Sequence, residues 1–145
     1  MDFTEDPDHG AIRAAVREVC ARFPDEYWAE RDQSHTFPWE FYAAMVKGGW
    51  IGIAIPAEYG GGGRGITEAS IVLEEVAASG ACMNGASSIH LSIFGMHPVV
   101  RHGSAELRQR YLPRVATGDL HVAFPTAASA TPASTTSSAT GGRPG

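Results

Sequence analysis

The sequence predicts an all-α fold, a single bundle of helices, on three observations. Apolar residues recur at helical spacing in five segments between residues 7 and 115. Residues that favour helix starts and stops flank those segments. The chain has 145 residues, of which 43% are hydrophobic and 19% charged, as is typical of one soluble domain. A core of this size forms without disulfides or bound metal.

The first predicted helix begins at Asp6-Pro7, because an aspartate followed by proline is typical of a helix start. It extends to Pro24, with apolar residues at helical spacing: Ile12, Val16, Val19, Cys20 and Phe23. A second helix is predicted from Pro38 to Lys47, and Gly48-Gly49 end it. Its three aromatic residues are predicted to pack in the core: Trp39, Phe41 and Tyr42.

The next segment, residues 50–65, is predicted to be a packed apolar connector followed by a glycine-rich loop. Residues 60–67 resemble the phosphate-binding pattern G-x-x-x-x-G-K-[ST], but Ile66 stands where the lysine is required. The glycines also match G-x-G-x-x-G, which any glycine run does, and no acidic residue lies between Glu75 and Glu106. The sequence therefore indicates a plain flexible turn, not a nucleotide site.

Three further helices are predicted after this loop. One is capped by Thr67 and stops at Gly80, with one apolar stripe: Val72, Leu73, Val76 and Ala77. Residues 84–102 are rich in small side chains, so their helix is predicted to be buried on most sides and to let a backbone or a ligand approach closely. Ser104 caps the last helix, which Pro113 is predicted to kink.

Composition excludes several function classes. The net charge is −5 and the basic residues are scattered, so nucleic acid is not an expected partner. No apolar stretch is long enough to span a membrane, and the acidic N-terminus does not predict a signal peptide. Cys20 and Cys82 lie in helical segments and are predicted to be reduced thiols in or near the core, which indicates a cytoplasmic location.

Polar residues in the helices give no complete catalytic or metal site. His90 and His97 are two helical turns apart, about 10 Å, too far to bind one metal without other ligands. Ser87 lies near His90 but lacks the G-x-S-x-G pattern and an orienting acid. Glu74 and Glu75 diverge around the helix, so a solvated helix face is predicted for both.

Four features in order resemble the acyl-CoA dehydrogenase family. The connector follows G-x-x-G-x-x-x-P-x-x-Y-G-G over residues 49–61. A Leu-Glu-Glu-Val-Ala helix segment over residues 73–77 and the small-residue helix come next. Residues 103–113 then match G-[ST]-x-E-x-x-x-x-Y-L-P. The resemblance covers about residues 1–124, which it identifies as an N-terminal helical domain of the acyl-CoA dehydrogenase type.

The resemblance implies an oxidoreductase in which this region forms only part of the enzyme. In the family, FAD lies between a β-barrel domain and a C-terminal four-helix domain. A carboxylate of the latter removes the α-proton of an acyl-CoA, the β-hydride passes to the flavin, and a 2-enoyl-CoA results. The chain alone is therefore expected to hold no catalytic residue, to be inactive as a fragment, and to bind FAD weakly or not at all.

The site residues that the resemblance implies are few. Ser87, His90, Leu91 and Phe94 match helix positions that line the family's acyl pocket, with core packing as the alternative interpretation. Phe124 matches a position near the flavin. Acyl-CoA is the implied substrate, and a homo-oligomer is a possible assembly.

The resemblance stops abruptly after Phe124. Family members continue with T-E-P-x-x-G-S-D, whereas residues 125–145 consist of Ala, Thr, Ser, Pro and Gly apart from Arg143. This tail is predicted to be disordered, and a shifted reading frame or an early truncation is the hypothesis for its origin. Two other functions remain open: a non-catalytic helical interaction module, and a fragment of a related flavin monooxygenase or acyl-CoA oxidase.

Overall fold

Helices dominate the part of the chain, residues 6–123, that the computed structural model describes. They are α1 (Pro7–Cys20), α2 (Asp25–Ser34), α3 (Trp39–Lys47), α4 (Ile66–Ala78), α5 (Cys82–Ile93), α6 (His97–His102) and α7 (Ala105–Ala116), with a short 3-10 turn over Ala57–Tyr59. No β-strand occurs within these described residues, so the predicted all-α class is confirmed. The predictions for Phe124 and for the tail over residues 125–145 lie outside them.

Local capping fixes three helix starts at or next to their predicted positions. The Asp6 carboxylate accepts a hydrogen bond from the Asp8 backbone N–H at 2.9 Å, at the start of α1. The Ser104 hydroxyl accepts one from the Leu107 backbone N–H at 3.2 Å, at the start of α7. α4 begins at Ile66, one residue before the predicted cap, because Glu68 accepts the Gly65 N–H at 2.8 Å.

Helix α2 was not predicted, because it lacks an apolar stripe. Its ten residues are mainly polar, and Trp28 is the one that is buried. The Trp28 indole N–H donates to the Phe23 carbonyl at 3.1 Å, and its ring packs against Phe41 with centroids 5.0 Å apart. One buried aromatic residue thus anchors this helix in the core, and hydrophobic periodicity does not detect such an arrangement.

The small-residue segment forms two helices instead of the single predicted one. α5 ends at Ile93, and a turn over residues 94–96 leads into α6. Pro98 explains the break, because its ring has no N–H to continue the helical ladder and restricts the backbone of His97. In α7, by contrast, the helix continues past Pro113 to Ala116.

The bundle core forms around α4, which packs against both α1 and α5. Five of the seven helices and the connector contribute fully buried side chains: Val16, Phe41, Met45, Ile51, Val72, Val76, Ile89, Leu112 and Val115. Burying one such side chain contributes about 1.5–3 kcal/mol. One aromatic prediction was wrong: Phe41 and Tyr42 are buried, but Trp39 is 58% exposed.

The glycine-rich loop is held by backbone hydrogen bonds. The N–H groups of Gly62, Gly63 and Arg64 donate to the carbonyls of Gly52, Ile55 and Ile53 at 2.9, 2.8 and 2.9 Å. Gly60 has a φ of +80°, and a Cβ on Gly61 would collide with the Ile55 carbonyl, so both positions require glycine. These N–H groups already donate to carbonyls of the connector, so they are not available to bind a phosphate.

A buried ion pair joins α1 to α4, where the sequence predicted a solvated helix face. Glu75 is only 5% exposed. Its carboxylate accepts hydrogen bonds from Arg13 Nη1 at 2.7 Å and from Arg17 Nε at 2.6 Å. The Arg17 hydrogen bond is the largest cause that lowers the pKa of Glu75 below its usual value, although burial opposes it. The neighbouring Glu74 side chain is 64% exposed, as predicted.

We expect Glu75→Gln to lower the free energy of unfolding by roughly 2 kcal/mol, because it weakens hydrogen bonds between charged groups. The folded-state pKa is depressed, so the stabilisation is present above the ordinary carboxylate pKa and is lost as pH falls through the lowered value. Urea denaturation over an acidic pH series therefore should show a steeper acid loss in the wild-type chain than in Glu75→Gln.

Glu74→Gln is the matched control, since it changes the adjacent residue of the same helix in the same way. Glu74 pairs with Arg13 at 3.0 Å, but its exposed side chain makes that pair worth about 0.5 kcal/mol or less. Equal losses for the two substitutions would contradict the role assigned to Glu75.

Candidate functional site

A groove of about 560 Å³ lies between α4 and α5. Its walls are mainly apolar, and the residues that line it are Ser70, Leu73, Glu74, Ala77, Met83, Ala86, Ser87, His90 and Phe94. The spacing of three or four residues along each helix places these side chains on the two faces that meet. Ala77 and Ala86 are small, which leaves room between the helices for a bound group.

Three of the four predicted lining residues meet in this groove. Ser87, His90 and Phe94 all line it, whereas Leu91 is half-buried and does not. Leu73 and Met83 also line it and were not predicted as site residues. Leu73 lies in the apolar stripe predicted for α4, and Met83 is 73% exposed at the start of α5. Only the pairing of the two helices brings these residues together.

The hydroxyl groups of the groove are already engaged with the backbone. Ser87 donates its hydroxyl hydrogen to the Met83 carbonyl, one turn earlier in α5. Ser70 donates to the Ile66 carbonyl at 2.9 Å. Ser87 therefore does not donate its hydroxyl hydrogen to His90. A serine nucleophile would need such a hydrogen bond to its base. The groove is suited to binding an apolar chain.

The cysteines differ in environment, contrary to the prediction that both lie in or near the core. Cys20 is buried, and burial raises the pKa of its thiol, so it stays protonated and unreactive. Cys82 is exposed at the start of α5, where its φ is +44°. Its location at the helix start, outside the α4–α5 contact, explains why helical periodicity misplaced it.

Two further features of residues 6–123 limit what the site can be. No cluster of three or more His, Cys, Asp or Glu side chains in this part of the chain is placed to hold a metal ion. None of its helices has both the length and the apolar character needed to cross a membrane.

The groove does not fit FAD. A dinucleotide carries two phosphates, which need cations or several free N–H donors. The groove contains no lysine or arginine, and the Glu74 carboxylate at its edge would repel a diphosphate. The described residues of the groove therefore supply a surface for a neutral apolar group.

Comparisons with known proteins agree with this architecture. Residues 6–119 match the family described as "Acyl-CoA dehydrogenase, N-terminal domain". Acyl-CoA dehydrogenase FadE12 of Mycobacterium tuberculosis is 34% identical over 125 residues, 84% of this chain and 31% of that protein. The acryloyl-CoA reductase (NADH) of Anaerotignum propionicum is 30% identical over 118 residues, 81% of this chain and 29% of that protein.

A solved structure has the same fold. It is described as "Electron transferring flavoprotein of Acidaminococcus fermentans: Towards a mechanism of flavin-based electron bifurcation". The TM-score is 0.74 at 26% identity, over 83% of this chain and 32% of that one. The chain thus spans about a third of the length of the relatives it matches. It belongs to the acyl-CoA dehydrogenase family and contains that family's N-terminal helical domain.

Proposed function

We propose that this chain acts as the N-terminal helical domain of an FAD-dependent acyl-CoA dehydrogenase, an oxidoreductase of fatty acid metabolism, and that the α4–α5 groove binds the acyl chain. The groove itself carries the proposal, because it is apolar and contains Ser87, His90 and Phe94. Each methylene buried there would contribute about 0.8 kcal/mol. The two free cysteines support a reducing, cytoplasmic location.

The proposed role of these residues is to bind and orient the substrate and to exclude water. Glu74, the one carboxylate of the groove, is paired with Arg13 and exposed, which makes it a poor base for a carbon acid. We therefore assign removal of the α-proton to polypeptide outside this chain. FAD, when bound, would accept the β-hydride, and Phe124 is our proposed contact to it.

We expect octanoyl-CoA to shift the amide NMR signals of α4 and α5 in the 145-residue chain, and Ala77→Phe to weaken this binding about tenfold or more. Ala77 lines the groove and is exposed, so a phenyl ring would fill the space without disturbing the core.

Ala78→Phe is the control, because Ala78 is also exposed on α4 but does not line this groove. It should leave the affinity unchanged. Signal changes located elsewhere, or equal effects of the two substitutions, would contradict the proposed acyl site.

We expect added FAD to leave the melting temperature of this chain unchanged. A ligand raises the melting temperature only when it binds the folded state appreciably, and the groove lacks partners for the diphosphate. Differential scanning fluorimetry with FAD against buffer measures this directly. An upward shift that grows with FAD concentration would show that a flavin site exists within the chain.

One observation favours a second candidate function, a helical interaction module. Trp39 is 58% exposed. Its ring contacts the rings of Phe37, Tyr42 and His121, with centroids 4.4, 6.1 and 5.7 Å away, respectively. Trp39 and His121 are the exposed members of this aromatic patch, and an exposed tryptophan on such a cluster is typical of a protein–protein contact. In an intact enzyme the same patch would face another part of the protein or a second subunit.

If the patch mediates association, sedimentation velocity should show oligomers of the wild-type chain that Trp39→Ser reduces. Met83→Ser serves as the control, because Met83 is similarly exposed but lies on the groove. A wild-type chain that stays monomeric at high concentration would remove the support for the interaction module.

A further inference from the structure

We infer that the acyl group bound in the α4–α5 groove carries a hydrogen-bonding substituent, a hydroxyl or a ketone, and that His90 recognises it. This inference rests on the proposed acyl-binding function of the groove. It adds a substrate class, since the family resemblance implies an acyl chain but not its polarity.

Among the polar side chains of the groove, His90 is the one with a hydrogen-bond donor free to contact a ligand. Four of the side chains that line the groove are polar: Ser70, Glu74, Ser87 and His90. Both serines donate to carbonyls of their own helices, and the Glu74 carboxylate pairs with Arg13. His90 is exposed, and among the described residues its ring nitrogens have no hydrogen-bond partner in the protein, so water solvates them while the groove is empty. His90 is therefore the one side chain of the groove that has an uncommitted donor.

The position of His90 is fixed by its helix and by a neighbouring ring. It lies near the C-terminal end of α5, between Ile89 and Ile93, which are 0% and 4% exposed and anchor the helix in the core. Its imidazole packs against the Phe94 ring with centroids 5.6 Å apart and an interplanar angle of 32°. This contact restricts the side chain's rotation, so the ring is held at the groove before any ligand binds.

An unsubstituted chain would contact the apolar side chains of the groove, but it would match the His90 ring less well than a substituted chain. It would cover the His90 ring and displace water from the nitrogens without replacing the lost hydrogen bonds, which opposes binding. A hydroxyl or keto oxygen at the same level of the chain accepts a hydrogen bond from the ring, and a hydroxyl can also donate to the unprotonated nitrogen. The apolar remainder of the substrate would still contact Leu73, Met83 and Phe94.

The test compares octanoyl-CoA with its hydroxy- and oxo-octanoyl positional isomers, titrated against the full 145-residue chain by NMR. We expect at least one substituted isomer to bind about fivefold more tightly than octanoyl-CoA, the equivalent of one net hydrogen bond. His90→Leu should abolish that preference, measured in the same variant as the ratio of the affinity for the substituted isomer to the affinity for octanoyl-CoA, and His90→Gln should restore part of it. His102→Leu is the control, because His102 is exposed on α6, away from the groove.

The two proposals fail in different ways. If octanoyl-CoA and its isomers perturb α4 and α5 with equal affinity, the acyl site stands and the inference about His90 is wrong. A preference that persists in His90→Leu overturns the inference too, because another group must then supply the hydrogen bond. If no acyl-CoA perturbs the groove, the proposed function fails and the inference fails with it. Circular dichroism of each variant confirms that the fold is retained.

Discussion

The structure depends on the central position of α4, which has to pack against α1 and α5 at the same time. Towards α1 it presents Glu75, whose buried carboxylate is acceptable only because Arg13 and Arg17 neutralise it and donate to both of its oxygens. The fully buried Val72 and Val76 on the same helix add apolar contact to the core. Removing the Glu75 ion pairs and these valine side chains would weaken the packing of α1 on the rest of the bundle, which would then depend largely on its contacts with α3.

The groove follows from the same arrangement. α4 is held on α1 by the Glu75 ion pairs and also packs against α5, which Ile89 anchors in the core. The two helices therefore cannot move closer to fill the space between their outer faces. Small side chains at Ala77 and Ala86 then leave space between them instead of filling it. A binding surface on two packed helices is better defined than one on loops, because each wall is positioned by core contacts behind it.

The sequence predicted features that depend on neighbouring residues and missed those that depend on distant ones. Asp6 and Ser104 mark helix starts because the groups they cap lie two or three residues away. The burial of Glu75 was not predictable, since its partners lie 62 and 58 residues away in the chain. For the same reason the sequence placed Ser87, His90 and Phe94 on one helix but could not supply the opposite wall, which comes from α4.

The proposed acyl-binding role would let this domain influence which substrate binds without determining the reaction. FadE12 is named a dehydrogenase and the Anaerotignum propionicum protein a reductase, yet each matches more than 80% of this chain. A wall that contacts only the acyl chain stabilises ground state and transition state alike, so it changes which acyl group binds and leaves the chemical step to other parts of the protein. Variation between relatives should therefore concentrate in groove side chains such as His90, while the Glu75 ion pairs and the loop hydrogen bonds keep the walls in place.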